Sequence, residues 1–281
     1  MLIAKTKKDL NTFLSSINTD NQLGLVPTMG ALHQGHISLV RKANSENKTV
    51  VVSIFVNPTQ FNNEEDLNKY PQNLEEDIAL LGEVSDKIIV FAPSIKDIYS
   101  ENVASKSYHF EGLDKVMEGE FRDGHFNGVG TIVETLFNVV QPNKAYFGQK
   151  DFQQLQIIKK LVALQKIPVE IIGCPIIRET NGLAMSSRNE RLSKAAREEA
   201  ALIYKTLLAA KTKFGMKSAK TVIEWVEKKF KEHTLFQLEY IKITDVNSLQ
   251  SVQRKQKNKK YRAFIAVYVE DIRLIDNIAL N

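Results

Sequence analysis

Two spacings of apolar residues alternate along the first part of the chain. Residues 22–26, 49–55, 87–91, 145–147 and 169–172 are short apolar runs without strict alternation, the pattern of strands buried on both faces of a parallel sheet. Between them, apolar positions recur three and four apart. Ile37, Leu39, Val40 and Ala43 form one such stripe and residues 74–81 carry another. A third comprises Val129, Ile132, Val133, Leu136, Phe137 and Val140, stopped by Pro142 and Asn143, and a fourth Leu155, Ile158, Leu161 and Val162. Each predicts a helix that buries one face. Leu10, Phe13, Leu14 and Ile17 predict one more amphipathic helix within residues 1–20.

This succession argues for an α/β fold with a doubly wound parallel sheet, whose ligands lie beyond the carboxyl ends of the strands. The turns at 28–36, 57–61 and 148–151 all follow predicted strands, so all three are expected to face one crevice. Residues 93–127 are polar and irregular, a type of segment that more often serves function than connection. They hold Arg122 and His125, which the sequence leaves open between a substrate and a partner subunit.

Near residue 176 the rhythm changes. Residues 178–189 have no apolar period; helices are predicted over 194–213 and 219–232, and residues 238–243 and 262–269 read as strands of a small antiparallel sheet around a basic turn at 253–260. The expected division is a larger domain over 1–176 and a smaller α+β domain over 177–281. No internal repeat or low-complexity tract interrupts either.

Composition narrows the class. The 281 residues are 43% hydrophobic and 25% charged, values typical of a soluble globular protein. No apolar run has the length of a membrane span, and the first residues lack the apolar core of a signal peptide, so a cytoplasmic location without membrane attachment is expected. The one cysteine, Cys174, has no disulfide or metal-site partner and reads as a small buried residue. Charge is uneven: residues 1–184 carry 18 Lys+Arg against 22 Asp+Glu, a net of −4, and residues 185–281 carry 20 against 11, a net of +9. A basic C-terminal third suits nucleic acid, the phosphates of a nucleotide held elsewhere, or simply solvent.

The candidate chemistry begins at Pro27-Thr28-Met29-Gly30-Ala31-Leu32-His33-Gln34-Gly35-His36, between a predicted strand and a predicted helix. Glycines there let backbone approach a ligand, and the helix start offers unpaired N–H groups to an anion. His-x-Gly-His at such a junction resembles the signature of the adenylate-forming nucleotidyltransferases. Three further segments accompany it. Phe55-Val56-Asn57-Pro58-Thr59-Gln60-Phe61 offers side-chain amides for a small polar substrate. Gly148-Gln149-Lys150-Asp151 sets a lysine and a carboxylate at a strand end, and Met185-Ser186-Ser187-Arg188 sets two hydroxyls beside a guanidinium.

Taken in order, these four segments resemble those of pantothenate synthetase (pantoate–β-alanine ligase), and the resemblance covers nearly the whole chain. It implies a nucleotide-binding α/β domain with a smaller C-terminal lid, a homodimer, and a Mg²⁺-dependent reaction of ATP, pantoate and β-alanine through pantoyl-adenylate, with neither nucleic acid nor membrane as partner. By the same resemblance Met29, Gly30, Ala31, Leu32, His33, Gln34, Gly35 and His36 form a first ATP-binding segment, with His36 as proton donor. Gly148, Gln149, Lys150 and Asp151 form a second, Ile177 gives a backbone contact near adenine, and Met185, Ser186, Ser187 and Arg188 form a mobile phosphate-binding strip. Gln60 and Gln154 bind pantoate, Gln60 also lies near β-alanine, and Asn57 belongs to the same substrate group. His33, His36, Lys150 and Arg188 are the catalytic candidates. Gln149 stands where many members carry glutamate, and no magnesium ligand is assigned.

The residues also admit plainer roles: Asp151 as a helix N-cap, Gln60 as an amide satisfying its own loop, Lys150 as a solvated turn lysine. Two other functions compete. One is nucleotidyl transfer to a different small substrate; the other is nucleic-acid binding through Arg254, Lys255, Lys257, Lys259, Lys260 and Arg262.

Overall fold

The computed structural model describes residues 1–17, 22–252 and 254–281. The chain packs as two compact units, one of Met1–Gln149 with Gln154–Pro175, the other of Lys150–Gln153 with Ile176–Asn281. Five residues of the stretch 1–176, Lys150–Gln153 and Ile176, thus pack with the second unit.

The first unit is built on a six-stranded sheet of β1 (Leu2–Ala4), β2 (Leu23–Thr28), β3 (Thr49–Ile54), β4 (Ile89–Phe91), β5 (Lys144–Gly148) and β6 (Glu170–Cys174), in the order β1-β4-β3-β2-β5-β6. Every pairing is parallel. Its helices are α1 (Lys7–Ser15), α2 (Gln34–Glu46), α3 (Glu64–Asn68), α4 (Leu74–Gly82), α5 (Ile95–Tyr99), α6 (Glu118–Phe121), α7 (His125–Val140) and α8 (Phe152–Gln165), the last of which starts in the second unit. From β2 the chain progresses outward to β3 and β4, whereas β5 returns to the other side of β2. The order therefore reverses beside β2, the topological position where sheets of this type bind ligands. Leu25, Val51, Val52, Val90 and Tyr146 are completely buried, which explains why the central strands are largely apolar without strict alternation.

The first unit differs from the sequence reading at its N-terminal element, in the short helices α5 and α6 inside the stretch 93–127 read as irregular, and at the start of α7. The predicted helix over 1–20 is a three-residue strand followed by α1. Leu2–Ala4 pairs in register with Ile89–Phe91, and a strand so short carries no period that sequence alone can distinguish from a helical turn. The Thr6 side chain caps α1 and Asp9 answers it, so the helix starts there; Ile17 lies past its end, and Asn18, Thr19 and Asp20 fall outside the described residues. Helix α7 begins at His125, four residues ahead of Val129, the first residue of its stripe, after Gly124 in the left-handed region at φ 71°.

The second unit pairs β7 (Phe236–Asp245), β8 (Tyr261–Val269) and β9 (Ile272–Ala279) antiparallel, with β8 central, and packs α9 (Lys194–Glu199), α10 (Ala201–Met216) and α11 (Ala219–Lys231) on them. Val222, Val226 and Phe230 of α11 and Leu207, Ala210 and Phe214 of α10 share a core with Ala263, Ile265 and Val267. The single helix expected over 194–213 is two, divided at Ala200, and β9 has no counterpart in the sequence reading. In the basic turn, Gln253 lies outside the described residues, and Arg254, Lys255, Lys257, Lys259 and Lys260 are exposed. Arg262 points inward with 8% exposure, which removes it from any nucleic-acid surface. Among the described residues no helix is long and apolar enough to cross a membrane. Cys174 is buried, and that burial raises its thiol pKa.

Candidate active site

The turn after β2 is held from several sides. Gly30 and Ala31 both adopt positive φ, 79° and 48°. The Thr28 hydroxyl donates to the Ser53 carbonyl at 2.7 Å and accepts from the Gly30 N–H at 3.2 Å. The Ala31 and Leu32 N–H groups donate to the two carboxylate oxygens of Asp77 at 3.1 and 2.6 Å. A Cβ on residue 30 would sit 2.9 Å from that carboxylate, so glycine is required by space as well as by φ.

Asp77 is not among the residues singled out from sequence. It is 2% exposed on α4, and burial lifts its pKa while the two amide hydrogen bonds oppose the rise. A signal is present nonetheless: an acidic residue interrupts the inward-facing stripe Leu74, Ile78, Leu81, where only a partnered carboxylate is tolerated.

His33 caps α2. Its Nδ1 accepts from the Gly35 N–H at 3.1 Å, and the His36 Nδ1 accepts from the His33 N–H at 3.3 Å, with the rings 4.1 Å apart. Backbone N–H groups can only donate, so both Nδ1 atoms act as acceptors and each neutral ring carries its proton on Nε2. Protonating Nδ1 would forfeit a cap. The geometry therefore favours two neutral imidazoles with Nε2–H donors at a helix N-terminus, a combination suited to phosphate oxygens.

The loop after β3 touches this turn. Gln60 is buried, its Nε2 donates to Met29 Sδ at 2.7 Å, and its Oε1 accepts from Asn57 Nδ2 at 3.2 Å. Asn57 in turn donates to the Gly128 carbonyl at 3.1 Å and accepts from the Tyr99 hydroxyl and from Thr59. Burial raises the Tyr99 phenol pKa, keeping it a hydrogen-bond donor. Arg122 and His125 both reach the Gln60 carbonyl, at 3.3 and 2.8 Å, so they brace the loop. A Cβ on Gly128 would come within 2.2 Å of the Thr59 carbonyl oxygen, so α7 lies against this loop only because residue 128 has no side chain. A cavity of about 550 Å³ opens beside both loops, lined by Met29, Gly30, Phe55, Pro58, Asp77 and Ser94 among others.

After β5, Gly148 pairs with Cys174 and the Gln149 side chain donates to the Gly173 carbonyl at 3.4 Å, both in the first unit. Gln154 is half-buried in the same unit. Because β3, β2 and β5 are parallel neighbours, the turns that follow them leave the same end of the sheet. Lys150 and Asp151 belong to the second unit. The Lys150 ammonium lies 3.9 Å from the exposed Asp151 carboxylate, and Asp151 immediately precedes α8.

Also in the second unit, Ile177 and Met185 are joined by a hydrogen bond from the Met185 N–H to the Ile177 carbonyl at 3.0 Å, beside a bridge between Arg178 and Ala184. Ser186 caps the 3₁₀ turn Ser187–Arg191 through the Arg188 N–H. Asn189, 1% exposed, ties that turn to the Ala184 carbonyl at 3.0 Å and to Glu179 at 2.6 Å, and Glu179 is paired with Arg197. The Ser186–Arg188 strip is thus braced from behind. Among the described residues no group of three or more His, Cys, Asp or Glu side chains could hold a metal ion.

A model of the pantoate-beta-alanine ligase family matches residues 2–279. The chain is 55% identical to the pantothenate synthetase of Flavobacterium psychrophilum over 282 residues, covering the full length of both. A solved pantothenate synthetase from Thermus thermophilus is 38% identical with a TM-score of 0.91, covering 100% of this chain and 99% of that one. The pantoate-beta-alanine ligase of Francisella tularensis, solved in complex with beta-gamma ATP and beta-alanine, is 39% identical with a TM-score of 0.83, covering 100% and 98%.

Proposed function

The chain belongs to the pantoate–β-alanine ligase family, and from that premise we propose how its own residues carry the reaction. It is a ligase that forms the C–N bond between pantoate and β-alanine with ATP as a substrate. In the first step a carboxylate oxygen of pantoate attacks the α-phosphorus of ATP and pyrophosphate leaves. In the second, the amine of β-alanine attacks the carbonyl carbon of the pantoyl-adenylate and AMP leaves. The substrate supplies the nucleophile in both steps, so the protein's work is positioning and charge stabilisation.

The pair of neutral imidazoles at the start of α2 carries this reading. With Nδ1 of His33 and His36 engaged by backbone donors, each neutral ring offers an Nε2–H hydrogen bond to negative charge growing on the phosphates, which is the form the donor role of His36 takes here. The backbone from Met29 through Leu32, with Gln34 and Gly35, lines the nucleotide. Gly148, Gln149 and Asp151, with Ile177 and Met185, serve the nucleotide as well; Lys150 and Arg188 contribute cations and Ser186 and Ser187 hydroxyl donors. Gln60, Gln154 and Asn57 bind pantoate and β-alanine.

Magnesium enters with ATP. An ion held largely by phosphate oxygens and water needs no protein cage. Asp151 offers the one acidic side chain within the segments 29–36, 148–151 and 185–188, and its carboxylate would hold the ion, whose chemistry is to offset phosphate charge. The working form is a homodimer in the cytoplasm, with no nucleic-acid partner.

The test is a stoichiometric one. Enzyme, pantoate, β-alanine and Mg-ATP should yield AMP and pyrophosphate in step with pantothenate, whereas ADP and phosphate would overturn the adenylate route. His36→Ala and Lys150→Ala should each slow pantoate-dependent ATP–pyrophosphate exchange by about 10²–10³-fold with the fold intact.

A further inference from the structure

Lys150 is held by residues outside the four nucleotide and substrate segments. Its carbonyl accepts from the Asn277 side-chain Nδ2 at 2.7 Å, and on the other end of that amide Oδ1 accepts from the Arg262 guanidinium. A carbonyl can only accept and a guanidinium can only donate, so the orientation of the amide is forced from both sides. Asn277 is 1% exposed, and its own N–H donates to Asp276 Oδ1 at 2.7 Å. Asp276, 4% exposed, also takes Arg178 in a two-pronged pair at 2.6 and 3.0 Å, while the Arg178 guanidinium rests 3.5 Å over the Tyr204 ring. Arg262 lies 4.1 Å over the ring of Phe152, which itself meets Phe264 at 5.9 Å. The segment that starts at Lys150 is therefore gripped twice: Asn277 takes the carbonyl of Lys150, and Arg262 takes the ring two residues on.

This arrangement is costly for packing alone. Arg262 is almost completely buried, its Nε has no hydrogen-bond partner, and burial pulls its pKa down to about 10 while Asp276 acts against the fall. Apolar side chains of similar volume would fill the same space at least as stably. One buried and one half-buried guanidinium, one carboxylate and one amide with a forced orientation instead specify where one short segment of backbone lies.

We propose that Asn277, oriented by Arg262 and Asp276, is the positioning residue for Lys150 in the adenylation step. The inference rests on the role given to Lys150 above. At 1% exposure Asn277 has almost no surface to offer a substrate; it fixes the backbone from which the Lys150 ammonium extends, and a displacement of about 1 Å at a charged group costs rate rather than substrate affinity.

Asn277→Asp isolates the contact, because an aspartate keeps an oxygen for Arg262 and loses the donor for the Lys150 carbonyl. Its ATP–pyrophosphate exchange should fall about tenfold or more in kcat with KM for pantoate little changed, and in a Lys150→Ala background the same substitution should have almost no further effect. Arg262→Lys, which loosens the other end of the amide, should repeat the pattern and serves if the first variant folds poorly. Near-normal exchange in a folded Asn277→Asp, or losses that multiply in the double variant, would overturn the inference. Near-normal exchange in Lys150→Ala would instead remove the role of Lys150, so the two failures are distinguishable.

Discussion

At the scale of single residues, the acceptor side of each imidazole and of Asp77 is spent on backbone, and that expenditure is what shapes the turn. Asp77 is the sharpest case. An asparagine there keeps one acceptor but turns an NH₂ toward a backbone N–H, leaving a buried donor unmet at a cost of about 1–3 kcal/mol. Asp77→Asn should therefore raise KM for ATP and lower kcat/KM about tenfold while the variant stays folded. The pH dependence has a definite sign. Burial lifts the Asp77 pKa in the folded chain, so protonation of this group favours the fold below its unfolded pKa, and that contribution is lost as pH rises through the folded value. Acid does not melt the protein through Asp77; it weakens the acceptor for Ala31 and Leu32. An acid limb in kcat/KM for ATP should consequently appear in the wild type, without loss of folded signal, and disappear in Asp77→Asn.

Among the elements, α7 carries more of the site than its apolar stripe suggests. It supplies His125 at its first position and the Gly128 carbonyl to Asn57, and it lies against Thr59 and Gln60 where no side chain fits. Gly128→Ala should favour helix formation locally yet push the Thr59–Gln60 backbone away, because its Cβ would meet backbone rather than a flexible chain end. Steady-state assays should find kcat/KM for pantoate down by about tenfold or more with near-normal helical content. The stripe itself is readable from sequence, whereas the start of α1 is fixed by the cap of Thr6 and Asp9, which the stripe of Leu10, Phe13 and Leu14 does not mark. Leu2–Ala4 is not, since three residues define no period, and neither is the break at Ala200, which falls inside an unbroken run of good helix formers.

For the molecule as a whole, each unit has its own core. Leu25 of β2 and Ile265 of β8 are both completely buried, so Leu25→Ala and Ile265→Ala should each remove about 2–5 kcal/mol from the strands around them. Hydrogen exchange should report the first as faster exchange in β2, β3 and β5 and the second in β7, β8 and β9. Equal acceleration of both sheets by either substitution would mean that the two cores unfold as one.

What the sequence determined by itself is the part of the protein written in local pattern. Apolar runs specified the parallel strands other than β1, helical stripes specified the inward faces, and the four segments from Met29, Asn57, Gly148 and Met185 carried the resemblance to the family in residue types and order. Tertiary structure decided which groups hold those segments in place. Asp77 lies 46 residues from the Ala31 amide it accepts, Tyr99 lies 42 from Asn57, and Asn277 lies 127 from the Lys150 carbonyl. A hydrogen bond depends on distance and direction in space, and a single sequence contains neither for residues so far apart. The packing of Lys150–Gln153 with the second unit has the same origin: its partners on β8 and β9 become neighbours only after the chain has folded.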